Sequence, residues 1–318
     1  MAESVVRALY AKATSLNLSS KKIKDVPTSV SAIRNLSVLL LNNNAITALP
    51  AELLCLRQVS LRFPGKHWKC LTRHAGGLRN LVVLNLNHNL IQRLPPEIKS
   101  LRNLQHLSVL DNKLEEVPAE LGHLTKLSEI NLTSNKLSWL PQQLYQCKDL
   151  TKLHVARNNL TSLPEGIRAL AKLQVVDVAG NKLTMFPVEF HLLPLKELYC
   201  EGNRFVQCEP LPSVQDLEVL PLKELAARFV LLEDRNRSSL VHRMLPHYPC
   251  LTALLASGSS CVLCLGPFLI TWLECVHFIS LRKDMKMRSS LTIPVRALLC
   301  SYKCFNTDGH SFYGVATR

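Results

Sequence analysis

The sequence repeats itself every 23 residues, and this period restricts the folds open to it more than any other feature. Leu81, Leu104, Leu127, Leu150 and Leu173 keep the step, and Leu195 follows after 22. Asparagines keep the same register at Asn89, Asn112, Asn135, Asn158, Asn181 and Asn203. A unit this short cannot bury its own apolar face, so neighbouring units must stack into one continuous core. With 47% apolar and 19% charged residues, the chain has enough apolar surface to order itself in that way.

Within a unit the pattern is L-x-x-L-x-L-x-x-N-x-L-x-x-L-P, as in Leu81, Leu84, Leu86, Asn89, Ile91, Leu94 and Pro95. Alternation around Leu-x-Leu predicts a short strand with one face inward and one outward. The Asn stands where the chain leaves the strand, and its amide can satisfy backbone groups of its own and the adjacent coil. The proline fixes φ and starts the return segment. These motifs resemble the leucine-rich-repeat family. The resemblance implies an α/β solenoid with a curved parallel sheet, here followed by a helix and a small cysteine-containing domain. The expected divisions are an N-terminal cap segment over 1–13, repeats over 14–205, a helical cap or adaptor segment over 206–255, and a cysteine-rich domain over 256–318. An early unit with Leu16, Leu18, Ile23 and Pro27 has Lys21 in place of Asn and reads as a cap. The stretch 57–77 fits the pattern poorly, because Arg62, Pro64, Gly65 and Trp68 fall where leucine or asparagine is due; it is either a distorted coil or a bulged insertion.

The resemblance also implies that partners bind on the concave face. Exposed positions there read, in one column, Val83, His106, Glu129, Lys152, Val175 and Glu197, and in the next, Asn85, Ser108, Asn131, His154, Asp177 and Tyr199. Further columns add Asp111 and Arg157. Lys152, His154 and Arg157 form a basic spot, with Asp177, Glu197 and Glu201 beside it and Tyr199 between. Such a bipolar surface suits a protein ligand of mixed charge better than a polyanion. The net charge of +14 raises a nucleic-acid reading. The basic residues are scattered, however, and no aromatic platform accompanies them, so no nucleic acid is expected.

After Phe205 the repeat stops. Over Pro221–Val230 the sequence P-L-K-E-L-A-A-R-F-V places Leu222, Leu225, Ala226, Phe229 and Val230 on one face of a helix. The helix resembles the elongin-binding box of cullin-RING ubiquitin-ligase receptors, with Pro221, Leu222, Ala226 and Val230 at the matching positions. That implies elongin B/C and a cullin as partners, whereas a helix that only covers the last coil would show the same apolar face. Leu245, Pro246, His247, Tyr248 and Pro249 match only the first half of the cullin-selecting segment. Cys261 and Cys264, then Cys300 and Cys304, form two close pairs that fit one tetrahedral four-thiolate zinc ion, while Cys275 supplies a spare thiol.

The apolar run from Cys261 to Leu273 is 13 residues long, short of the roughly 20 a membrane-crossing helix needs. It reads as a buried strand or helix. Met1–Ala13 carries Glu3, Arg7 and Lys12 and no secretory pattern, which predicts a cytoplasmic or nuclear protein. No G-x-S-x-G, G-x-x-x-x-G-K or H-E-x-x-H motif occurs, and His106 and Asp111 have no nucleophile beside them. The chain therefore reads as a non-catalytic scaffold that binds a protein. A ubiquitin-ligase receptor is the alternative, and a nucleic-acid or membrane-associated module comes third.

Overall fold

A computed structural model describes residues 2–33, 35–54, 78–207, 220–270, 272–307 and 312–317. The chain divides into two compact units, Met1–Arg204 and Phe205–Arg318.

The first unit opens with helix α1 (Ala2–Tyr10), which turns Val5 and Ala8 inward. Eight three-residue strands follow: β1 (Ser15–Asn17), β2 (Val38–Leu40), β3 (Val83–Asn85), β4 (His106–Ser108), β5 (Glu129–Asn131), β6 (Lys152–His154), β7 (Val175–Asp177) and β8 (Glu197–Tyr199). They pair in chain order as one parallel sheet. Each middle residue, such as Leu107, Ile130 or Leu153, is buried, and its two neighbours face outward, as strand alternation requires. After each strand the chain returns through a short outer segment. One is the small helix α2 (Ala51–Leu54), and several are 3-10 turns such as Pro96–Ser100, Ala119–His123 and Gln142–Gln146. Prolines at Pro95, Pro118 and Pro141 precede those turns with φ of −71°, −66° and −70°, the values the ring imposes.

Register follows the sequence period, with Val83 opposite His106 and His106 opposite Glu129. One step differs. β2 pairs directly with β3, Val38 opposite Val83, a separation of 45 residues (83 − 38) rather than 23. The sheet therefore passes between these two strands without another strand between them, and the irregular stretch 57–77 lies outside the described residues.

Two features of the turn after each strand hold the coils together. The ladder asparagines from Asn89 to Asn181 are buried, and each spans two coils. Asn135 accepts the Leu114 N–H at Oδ1 (2.9 Å), and its Nδ2 donates to Val109 O and Leu132 O, both at 2.9 Å. The residue just before each asparagine is left-handed: φ is +54° at His88, +52° at Asp111, +57° at Ser134 and +51° at Arg157, and glycine fills the same place at Gly180 and Gly202. This conformation aims each N–H at a carbonyl of the following coil, as in Arg157 N to Ala179 O at 2.7 Å. Non-glycine residues hold it at a cost of about 1 kcal/mol each.

The second unit contains α3 (Leu222–Asp234), α4 (Leu240–Met244), α5 (Pro249–Leu255), β9 (Ser259–Ser260), β10 (Pro267–Phe268), β11 (Leu273–Ser280), β12 (Thr292–Leu299), α6 (Tyr302–Phe305) and β13 (Phe312–Thr317). β9 and β10 form a small hairpin, and β11 is the centre of an antiparallel sheet between β12 and β13. Pro294 sits in β12, an edge strand, where a missing N–H is tolerated. Ala227, Leu245, Leu255 and Leu269 make one core. Cys261, Phe268, Leu273, Cys275, Ala297, Leu299, Tyr302 and Cys304 make another. The apolar run from Cys261 to Leu273 resolves into a turn, the buried β10 and the start of β11. No helix among the described residues is long and apolar enough to cross a membrane.

Candidate functional site

On the outward face of the repeat sheet the charged residues interlock from strand to strand. Glu129 on β5 lies between His106 of β4 (3.6 Å) and Lys152 of β6 (3.5 Å). His154 approaches Asp177 at 3.9 Å. Asp111 is bonded to His88, one coil earlier, at 2.9 Å, so its ionic partner is not His106. Asn131 turns its Oδ1 to the Thr133 N–H and helps to shape the strand end. Between the basic and acidic spots only His154 and Asp177 approach each other, while Lys152 pairs with Glu129, and exposed pairs of this kind hold geometry more than they add stability.

Past these pairs lies a shallow hollow of about 340 Å³, lined among others by Thr133, Arg157, Asp177, Tyr199 and Glu201. Its floor is low because Ala156, Ala179 and Gly180 stand where other coils carry larger residues such as Leu110 or Asp111. Tyr199 is 45% exposed and donates its hydroxyl to Glu197 Oε2 at 2.9 Å. That bond, with the nearby charges of Glu197, Asp177 and Glu201, raises the phenol above its ordinary pKa and keeps it neutral. Arg157 and Glu201 are exposed and lie in no ion pair among those described. Of the charged and polar concave residues singled out from sequence, the structure gathers Arg157, Asp177, Tyr199 and Glu201 at this hollow, with His154 and Glu197 beside its rim. His106, Asp111, Glu129, Asn131 and Lys152 lie along the sheet away from it. The small floor residues were not singled out, although their columns could be read off the repeat.

In the second unit, α3 faces its core with Glu224, Ala227 and Leu231 and turns outward Leu222 (82% exposed), Leu225, Ala226 and Phe229 (62%). Val230, at the edge of that stripe, packs partly inward. Leu245, the first residue of the segment compared with cullin-selecting sequences, is buried in the same core, whereas Tyr248 is exposed. Glu224 was not anticipated, because a glutamate on an otherwise soluble-looking helix gives no sign that it will be enclosed. Its carboxylate accepts the N–H groups of Leu269 (3.0 Å) and Ile270 (2.7 Å) and the Arg228 Nε (2.7 Å). Burial pushes its pKa up, but these three bonds outweigh that and hold the carboxyl below its usual value.

The four cysteines paired in sequence also meet. Cys261 and Cys264 lie in the turn after β9, and Cys300 and Cys304 at the end of β12 and in α6. All four sulfur atoms lie within 4.8 Å of one another. Cys275 is buried in β11, outside this group, and burial raises its thiol to about 12.

A model of the leucine rich repeat family matches residues 79–137. A leucine-rich repeat-containing protein 69 of Xenopus laevis is 43% identical over 129 residues, 40% of this chain and 37% of the relative. That of Homo sapiens is 34% identical over 123 residues, 38% of this chain and 35% of the relative. The chain thus spans little more than a third of the length of these curated relatives. Among solved structures, a leucine-rich-repeat protein of Leptospira interrogans shares 28% identity with a TM-score of 0.45, over 63% of this chain and 58% of that one.

Proposed function

We propose that this leucine-rich-repeat solenoid holds a segment of a partner protein on the outward face of β5–β8, with the hollow around Tyr199 as its anchoring point. A leucine-rich-repeat array is in general a scaffold for protein interaction, and its family members are typically non-enzymatic. The observation that carries the reading here is the hollow itself. An exposed aromatic ring is fixed by a hydrogen bond, a cation and a carboxylate stand at its edge, and small residues form its floor. Tyrosine and arginine at the centre of a recess are the residue types that concentrate binding energy. A ligand segment carrying one acidic and one basic side chain next to an apolar one complements Arg157, Glu201 and Tyr199.

The test is cross-linking and affinity capture with the full chain, comparing wild type with Tyr199→Ala and Arg157→Glu. The expected result is a protein captured by wild type, cross-linked to the face of β5–β8, and lost at least tenfold with either variant. Capture that neither substitution changes, or cross-links confined to the outer turns, would overturn the reading.

A second reading is supported by the stripe of Leu222, Leu225, Ala226 and Phe229 on α3, which lies open although it is the most apolar face of that helix. In this reading the stripe docks on elongin C, elongin B and a cullin follow, and the client on the solenoid is presented for ubiquitin transfer. Copurification with elongins B and C settles the matter. Wild type should retain both, Leu222→Asp should lose both, and a wild-type chain that brings down neither sinks the adaptor role without touching the solenoid reading.

A further inference from the structure

We infer that Cys261, Cys264, Cys300 and Cys304 hold one structural zinc ion that fastens the β9–β10 hairpin to the end of β12. The inference concerns the second unit and stands independently of what the solenoid binds. Zinc held by four thiolates has Zn–S distances of about 2.3 Å, so a regular tetrahedron sets its sulfurs about 3.8 Å apart. Here Cys264 and Cys300 are 3.5 Å apart and Cys300 and Cys304 3.6 Å, and no pair in the group exceeds 4.8 Å. Disulfides would need sulfurs about 2.05 Å apart and can join atoms only in pairs. Four sulfurs converging on a common centre match a cation instead.

The backbone around the sulfurs is shaped for thiolates. In the first turn, Leu265 adopts φ of +59°, Cys261 N–H bonds Gly266 O at 2.9 Å, and the Gly266 N–H turns to Cys264 Sγ at 3.3 Å. A side chain at Gly266 would bring its Cβ to 3.2 Å from that sulfur, closer than an easy contact. In the second turn, Ser301 Oγ accepts the Cys304 N–H at 3.4 Å and starts α6 so that Cys304 faces back to Cys300. N–H groups aimed at sulfur stabilise the ionised form that a metal requires. The four-thiolate centre carries a net charge of −2, because each coordinating thiol gives its proton to solvent as the zinc–sulfur bond forms. Arg228 ties α3 to the same strand end, with one guanidinium nitrogen on Cys300 O at 2.8 Å and Nε on Glu224.

The full chain, purified without chelator under reducing conditions, should contain about one zinc per molecule by elemental analysis. Cobalt exchanged into the wild-type protein should give thiolate-to-cobalt charge-transfer bands in the near ultraviolet and tetrahedral bands near the red end of the visible. Cys275→Ser should keep the metal, and Cys261→Ser and Cys304→Ser should lose it or bind it at least tenfold more weakly. Zinc below one fifth of an equivalent together with no thiolate-to-cobalt absorption in the wild type would overturn the proposal. Because the cobalt spectrum is read on the unsubstituted chain, a variant that fails to fold does not blur the answer.

Discussion

Replacing Asn135 by alanine tests the physical account of the solenoid at its most exposed point, and the structure gives the size of the effect. Its Oδ1 is the acceptor for the Leu114 N–H, which has no other partner among the described hydrogen bonds and lies on a residue that is fully buried. Its Nδ2, with two protons, reaches Val109 O, Leu132 O and, at 3.3 Å, Thr133 O, but those carbonyls keep the Asn112 amide, the Asn158 amide and the Asp111 N–H respectively. The substitution therefore orphans one buried donor and removes the bonds of two N–H protons, whose acceptors remain satisfied. An orphaned buried N–H costs about 1–3 kcal/mol and each lost bond about 1 kcal/mol, so the expected loss is about 3 kcal/mol. Equilibrium urea unfolding measures it, with Asn159→Ala as the reference. Asn159 is the next residue but one after Arg157, is exposed and shows no side-chain bond, and should change stability by less than about 0.5 kcal/mol. Asn135→Asp keeps an acceptor for Leu114 but points a charged oxygen at two carbonyls, and should be at least as harmful as alanine. If Asn135→Ala unfolds within 1 kcal/mol of wild type, the coils are held by leucine packing alone and the ladder explanation fails.

Two further outcomes follow from particular contacts. At Gly122, in the 3-10 turn Ala119–His123, a Cβ would run into the backbone carbonyl of Gln143 in the next turn. Gly122→Ala should therefore cost about 2 kcal/mol by forcing the turns apart, and a thermal midpoint equal to wild type would refute that close approach. Glu224 makes the second unit sensitive to acid. Its folded carboxyl titrates below the ordinary value of about 4.3, so the stability it confers is complete above that pH and is lost as pH falls through the lowered folded value. Hydrogen exchange should show protection of residues 222–234 falling in that acid window. Glu224→Gln should weaken it already at pH 7, by about 3 kcal/mol, because a neutral amide with a single acceptor oxygen cannot take the Leu269 N–H, the Ile270 N–H and the Arg228 Nε together. Protection in the variant identical to wild type from pH 7 down to 3 would show that the pair is dispensable.

Period, strand position and ladder asparagines could all be read from the sequence, because each depends on residues a fixed number of steps apart and a solenoid converts constant spacing into constant neighbours. Leu107, Ile130 and Leu153 share a core for no reason beyond their interval of 23. What needed the tertiary structure were contacts whose spacing is not periodic. Glu224 meets Leu269 and Ile270 from 45 and 46 residues away, which only the fold of the second unit brings about. Similarly, β2 meets β3 across 45 residues where the period predicts 23. The charged columns on the sheet were visible in advance, yet only the three-dimensional arrangement showed that Glu129 and Asp177 are engaged by their neighbours while Arg157 and Glu201 border a recess. Composition along a strand tells which side chains face out; which of those are already partnered depends on distances of a few ångströms between different coils, and one-dimensional order carries no record of them.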